Sequence, residues 1–299
     1  MPVLTYEDVF DRVASLSELG TLANSLGAIL KITRGHTGDA RQLANVISND
    51  PALSLKILQT VNSAFYAFDR TIDTVMDAVA LLGFAEIERL GMAVSIINHF
   101  GTRSRHAKAL NQLWKHSLVC GVATEALVDF YKVPKSEDAD VYVAALMHDI
   151  GKAVIWQVFP DVTPQIAQLM EYNGIIASQA EQRVLGGATH AEIGAWAAQH
   201  CSLPLSIVES VQWHHRPDEA KTDRAIIRVI HAANGLCYQV RVPAAALRTD
   251  QAPPPIAATL AKEEALMARF RNGYEAKRAQ IEAILRPASQ VPQRNTRQR

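Results

Sequence analysis

Along nearly the whole chain apolar residues recur at spacings of three and four, and nowhere do they alternate convincingly with period two. The pattern predicts an all-α protein. A first helix is expected over Tyr6–Leu16 and a second over Leu22–Arg34, the latter closed by Gly35 and Gly38. Asp39, with Gln42 three residues on, reads as the cap of a third. Asp50 caps a fourth and Pro51 occupies its first position, where a missing N–H costs nothing. Leu53, Ile57, Val61 and Phe65 should form its buried stripe, with the Phe65, Tyr66 and Phe68 cluster as a packing anchor. Gly83 and Phe84 separate helices over Asp73–Leu82 and Ala85–Phe100.

The second half continues in the same period. A long helix over Ala107–Tyr131 places His116 on the stripe of Leu113, Cys120, Ala123 and Leu127. Val141–Lys152 reads as a small-residue helix that carries His148-Asp149 and breaks at Gly151. Ile155–Pro160 turns the chain toward a helix over Pro164–Asn173. Thr189 and Glu192 make a capping box, which puts His190 in the first turn of a helix reaching Cys201. Leu203-Pro204 opens a helix that ends in Trp213-His214-His215, and Asp223–Val240 brings Asn234 onto one face with Ile227, Ile230 and Tyr238. A break at Ala252–Pro255 precedes a last helix over Ile256–Leu285, and the polar segment 287–299 is expected to be disordered.

Composition narrows the classes. Of 299 residues 48% are hydrophobic and 20% charged, enough for a large core and too apolar for wholesale disorder. Lys plus Arg balance Asp plus Glu at 30 each, which argues against a nucleic-acid partner. The basic segment Arg103–Lys108 reads as a solvated helix start rather than a phosphate site. Cys120, Cys201 and Cys237 are scattered, odd in number and without a CxxC pattern, which fits a reducing cytoplasm. With no basic-then-apolar leader and no run of about 20 apolar residues, neither secretion nor a membrane is expected.

The candidate chemistry centres on His148-Asp149. A carboxylate at the end of an apolar helix is costly unless paired, and three readings account for it: a divalent metal, a salt bridge to Lys152, or a helix-end hydrogen bond to backbone. His116 upstream and His190, His214 and His215 downstream favour the metal, since imidazoles and carboxylates on facing helices build metal sites in helical cores. The positive end of its helix keeps His190 neutral, although an exposed first-turn histidine reads equally well. His214 and His215 also suit a helix C-terminus as plain cap residues.

Asp50-Pro-Ala-Leu53, Val61–Tyr66 and Ala80-Leu-Leu-Gly83, followed by His116 and His148-Asp149, resemble the HDOD family, the HD-related output domains of bacterial signalling. The resemblance runs from about Leu19 to His215. It implies two packed helical lobes, 19–105 and an HD-like bundle 106–215, preceded by a helix in 1–18 and completed by helices in 216–286. Within the wider HD superfamily of metal-dependent phosphohydrolases, His116, His148 and Asp149 match the first metal ligands, and His190, His214 and His215 the added ligands of the two-metal subgroup. Asn234 stands where the superfamily places a final Asp, and a neutral amide holds a hard cation far less well. Gln112 adds no charge one turn before His116. The family's Leu-Pro entry is reduced to Leu19-Gly-Thr-Leu-Ala23, and Arg216-Pro-Asp-Glu219 lacks the Gly-Tyr-Pro segment of the cyclic-di-GMP-cleaving subgroup.

The resemblance therefore implies a regulatory output module, non-catalytic or weakly catalytic, with a residual iron-, manganese- or zinc-like ion or no cofactor at all. Its partner would be a signalling protein or a small nucleotide ligand. The alternative it implies is a phosphohydrolase, in which Asp149 bridges the metals and Lys152 steadies the phosphate. A purely structural helical scaffold, with the histidines as core residues, is the third reading.

Overall fold

Capping side chains in the chain set several of the helix starts. Asp50 accepts from the backbone N–H of Ala52 and Leu53, both at 3.0 Å, and launches a helix with Pro51 at its first position. Thr189 and Glu192 form the expected capping box. In the computed structural model, which describes residues 4–33, 39–63, 65–101, 106–134, 141–239, 260 and 262–286, these signals yield helices and no strand among the described residues.

The helices are α1 (Tyr6–Ala14), α2 (Ser17–Thr33), α3 (Ala40–Ser48), α4 (Pro51–Val61), α5 (Val75–Leu82) and α6 (Phe84–Gly101). There follow α7 (Ala107–Tyr131), α8 (Val141–Met147), α9 (Ile150–Val158), α10 (Thr163–Asn173), α11 (Ala177–Val184), α12 (His190–His200) and α13 (Leu205–Trp213). A 3-10 turn (Pro217–Glu219), α14 (Arg224–Gln239) and α15 (Glu264–Leu285) complete the order.

Helices α2 to α6 pack on one another and make the first lobe. The second is built on α7, whose buried residues fall on every side of the helix because α8, α14 and α15 surround it. Helix α12 lies between α9 and α13. Helix α1 joins this second lobe, with the Phe10 ring 6.2 Å from that of Trp196 of α12 and tilted against it. Helix α15 ties the lobes together, since it packs on both α7 and α4. Phe270 is fully buried there, worth about 1.5–3 kcal/mol. The α15 contacts are also polar: Gln280 Nε2 donates to the Tyr66 hydroxyl at 2.7 Å, and Lys277 reaches Glu125 at 2.9 Å.

Several expectations need correction. Val141–Lys152 is two helices, because the chain leaves the helical path at His148-Asp149 rather than at Gly151. Gly151 sits inside α9 for another reason: a Cβ there would fall 1.8 Å from the His190 carbonyl oxygen, so only glycine allows α9 and α12 to approach this closely. The residues from Ile155 stay helical as far as Val158. Helix α11 fills a polar stretch in which no helix was expected. Asp39 caps α3 through the Arg41 N–H alone, without Gln42. Phe65 lies beyond the end of α4 and is half-buried. Helix α15 begins at Glu264, whereas residues 256–259, the basic residues 103–105 and the tail 287–299 lie outside the described residues.

Candidate metal centre

The break between α8 and α9 is what builds the site. Leaving the helix at His148 and Asp149 turns both side chains inward, and both are fully buried. The Asp149 carboxylate lies at the centre. Its Oδ2 is 2.9 Å from Lys152 Nζ, 3.3 Å from His148 Nε2 and 3.8 Å from His116 Nε2. Its Oδ1 faces the other way, 3.4 Å from His190 Nε2 and 3.6 Å from His214 Nε2. His215 completes that side, with its Nε2 3.0 Å from His190 Nε2. All six histidine and aspartate candidates therefore converge. Of the proposed readings for Asp149, the salt bridge to Lys152 is present, and the histidine cluster surrounds it as well.

Each ring is held from behind. His148 Nδ1 donates to the Ala145 carbonyl and His214 Nδ1 to the Val211 carbonyl, both at 2.7 Å. His190 Nδ1 lies 2.7 Å from Glu181 Oε2, which also accepts the His190 backbone N–H at 2.9 Å. For His190 and His214 a donor at Nδ1 fixes the tautomer that offers the Nε2 lone pair to the centre. His116 stacks on Tyr238 at 5.1 Å between ring centroids. Asn234 is buried against His116. Of the two readings open for His190, the exposed one is not found: the ring is fully buried at the first position of α12. His214 occupies the C-cap of α13, yet it too is sealed, and only His215 of the pair is partly open.

Electrostatics separate the rings. Burial pushes His116 down to about 3, with His148 adding to the effect, and pushes His214 down to about 4. Burial drives His215 well below the ordinary range. For His148 burial is outweighed by the adjacent Asp149 charge, and the ring rises to about 9. Burial alone would raise Asp149, but Lys152, and then His148, hold its carboxyl well below the usual carboxylate range. A hydrogen bond with Cys237, and then burial, raise the Cys120 thiol well above its ordinary range.

The donor set fits a divalent ion. His148 Nε2, His214 Nε2, Asp149 Oδ1 and Asn234 Oδ1 are buried atoms without a well-formed hydrogen bond, and an orphaned group of this kind is costly. Ligand atoms about 2.1 Å from a tetrahedral zinc-like ion lie about 3.4 Å apart. The 3.0, 3.4 and 3.6 Å separations on the Oδ1 side are close to that spacing. Asp149, His190, His214 and His215 form one group whose ligand atoms lie within 4.8 Å of one another, and His116, His148 and Asp149 form a second.

Sequence reasoning missed Glu181, which sits in a polar window nine residues before His190. Only the Gly186-Gly187 turn, with φ of +59° and +94°, folds it back onto the ring. It also missed a surface groove of about 520 Å³ beside His215, lined by Arg216, Arg228 and His231 among others. His231 Nδ1 donates to the His214 carbonyl at 2.7 Å, so the groove wall and the centre share a backbone strut.

No helix among the described residues is long and apolar enough to cross a membrane. An uncharacterized protein of Treponema pallidum is 24% identical over 230 residues, and the match covers 76% of this chain; the chain spans 43% of that relative's length. A candidate phosphohydrolase from Shewanella amazonensis has the same fold, with a TM-score of 0.65 at 18% identity over 93% of this chain and 96% of that one. A candidate signal transduction protein from Marinobacter aquaeolei gives 0.69 at 19% identity over 88% of this chain and 59% of that one. The HDOD domain model matches residues 19–217, about two-thirds of the chain. The chain belongs to the HDOD domain family.

Proposed function

We propose that the chain is a regulatory signalling module whose His/Asp centre holds a divalent metal without useful turnover. The observation that carries this reading is Asn234. It stands buried beside His116 where a carboxylate would be needed to balance a catalytic pair of cations, and its amide brings no charge. Lys152 supports it further. Its ammonium is buried and committed to Asp149 Oδ2, so it neutralises the carboxylate rather than reaching outward to a phosphate. His116, His148, Asp149, His190, His214 and His215 would hold the metal, with Asn234 as a weak contributor. When bound, such an ion supplies a fixed positive charge and Lewis acidity toward oxygen. Glu181 and the Ala145 and Val211 carbonyls orient the rings, and the surrounding α7, α8 and α12 exclude water from five of the six.

The fold of the chain is shared with a protein named as a signal transduction component, in keeping with this reading. The partner in signalling would be another protein or a small nucleotide ligand. The second reading, a metal-dependent phosphohydrolase, is favoured by one feature: a groove gives access to partly open His215, although its two arginines, Arg216 and Arg228, are already paired with Glu219 and Asp218. Asn234→Asp separates the two. The native protein, supplied with manganese or iron, should release no product from cyclic dinucleotides, and Asn234→Asp should increase metal occupancy and gain weak turnover. Measurable native turnover, equal to or above that of Asn234→Asp, would favour the phosphohydrolase.

A further inference from the structure

The two oxygens of Asp149 keep different company, and the difference bears on how many ions the centre takes. Around Oδ1 stand three imidazole nitrogens and no cation: His190 at 3.4 Å, His214 at 3.6 Å, and His215, whose Nε2 is 3.0 Å from that of His190. His190 presents its lone pair to the centre because its Nδ1 is engaged by Glu181. Two ring nitrogens facing each other at 3.0 Å need a proton or a cation between or beside them. Around Oδ2 the nearest atom is the Lys152 ammonium at 2.9 Å, ahead of His148 and His116.

We infer that the centre holds one divalent ion, among Asp149 Oδ1, His190, His214 and His215, and that Lys152 occupies the charge position of a second ion at Oδ2.

This rests on the metal-holding part of the function proposed above and adds the number of ions and their place. Three imidazoles and one carboxylate oxygen make a complete four-coordinate set for a zinc-like ion. The second half, with His116 2% exposed, His148 0% and Asn234 7%, is closed off, whereas His215 opens on the groove. An ion can thus enter on the Oδ1 side without unpacking α7. Charge points the same way: Asp149 and Glu181 bring two negative charges, which one dication offsets, whereas a second dication would add two more positive charges beside the buried Lys152 ammonium. The ammonium cannot easily withdraw: Lys152 is 7% exposed and sits one helical turn from Asp149.

Metal content measures this directly. Chelator-stripped protein is reloaded with zinc, desalted, and assayed by elemental analysis per chain, with circular dichroism to verify folding of every variant. The native chain should carry about one zinc, His116→Ala about one, and His215→Ala at least tenfold less. Lys152→Met should raise the content above one. X-ray absorption at the zinc edge of the native protein, which needs no variant, should give four nitrogen or oxygen ligands including three imidazoles. Two zinc ions per native chain would overturn the single-ion inference while leaving the metal reading intact. A native chain that takes up none would overturn both. Loss of zinc in His116→Ala with retention in His215→Ala would place the ion on the wrong oxygen and refute the assignment.

Discussion

Replacing Gly151 by alanine adds one methyl group where α9 crosses α12. The new Cβ would lie 1.8 Å from the His190 carbonyl oxygen, 2.7 Å from its carbonyl carbon and 2.8 Å from the Gly194 nitrogen. All three are backbone atoms, so no side chain can rotate away. An ordinary carbon–oxygen contact of about 3.2 Å requires α9 and α12 to part by more than about 1 Å, which forfeits contacts along the whole crossing. Overpacking of a core usually costs about 1–3 kcal/mol. With backbone on both sides, Gly151→Ala should cost at least the upper part of that range, about 3 kcal/mol. Because α12 carries His190 at its first position, the same shift should also draw that ring away from Asp149. Urea unfolding of native and Gly151→Ala protein measures the first effect, and zinc content the second. A variant within about 0.5 kcal/mol of native with unchanged zinc would refute the claim that this glycine sets the α9–α12 distance.

Other substitutions test neighbouring parts of the account. Gly27 lies within α2 with nothing within 4 Å of an added Cβ, so Gly27→Ala should stabilise by about 0.5–1 kcal/mol, and a destabilised variant in the same urea assay would contradict it. Glu181→Gln removes the charge that orients His190 and should weaken zinc binding about 10- to 100-fold in a competition titration with a chromophoric chelator; unchanged affinity would remove Glu181 from the site. The Lys56 ammonium, which donates to the Ala283 carbonyl at 3.0 Å, is pushed down to about 8 by burial and then by Arg286. Unfolded lysine titrates near about 10.4, so between these values the unfolded chain holds a proton that the folded chain has lost, and unfolding free energy should rise with pH. Lys56→Met should flatten that rise, and an identical slope in both proteins would show that another group causes it.

How much of this could be read from the chain depends on whether the cause was local. The start of α4 follows from Asp50 and Pro51, and that of α12 from Thr189 and Glu192, because a cap acts within four residues. Helix α7 was legible at both ends, its long apolar period being unbroken from Ala107 to Tyr131. The ligand set was visible too, since histidines on apolar stripes stand out one by one. What the chain concealed depends on distant partners. Gly151 looks like a helix terminator until α12 is placed against it. The break at His148-Asp149 has no proline or glycine to mark it; it is held by contacts with Lys152 and with rings from three other helices. Glu181 lies in a helix of low hydrophobicity, and only the turn at Gly186 and Gly187 gives it a role. Lys152 was read from the chain both as a salt-bridge partner of Asp149 and as a phosphate contact, and the salt bridge is the one present; the burial that favours it is a property of the packed core.

Turnover tests the central claim most directly. Native protein and His148→Ala, each loaded with manganese or iron and matched for folding by circular dichroism, are incubated with cyclic and linear dinucleotides, and product is followed by chromatography. A regulatory module with a metal centre predicts native rates indistinguishable from those of His148→Ala. Metal-dependent hydrolysis by the native protein that disappears in His148→Ala would contradict it and make the centre a phosphohydrolase active site.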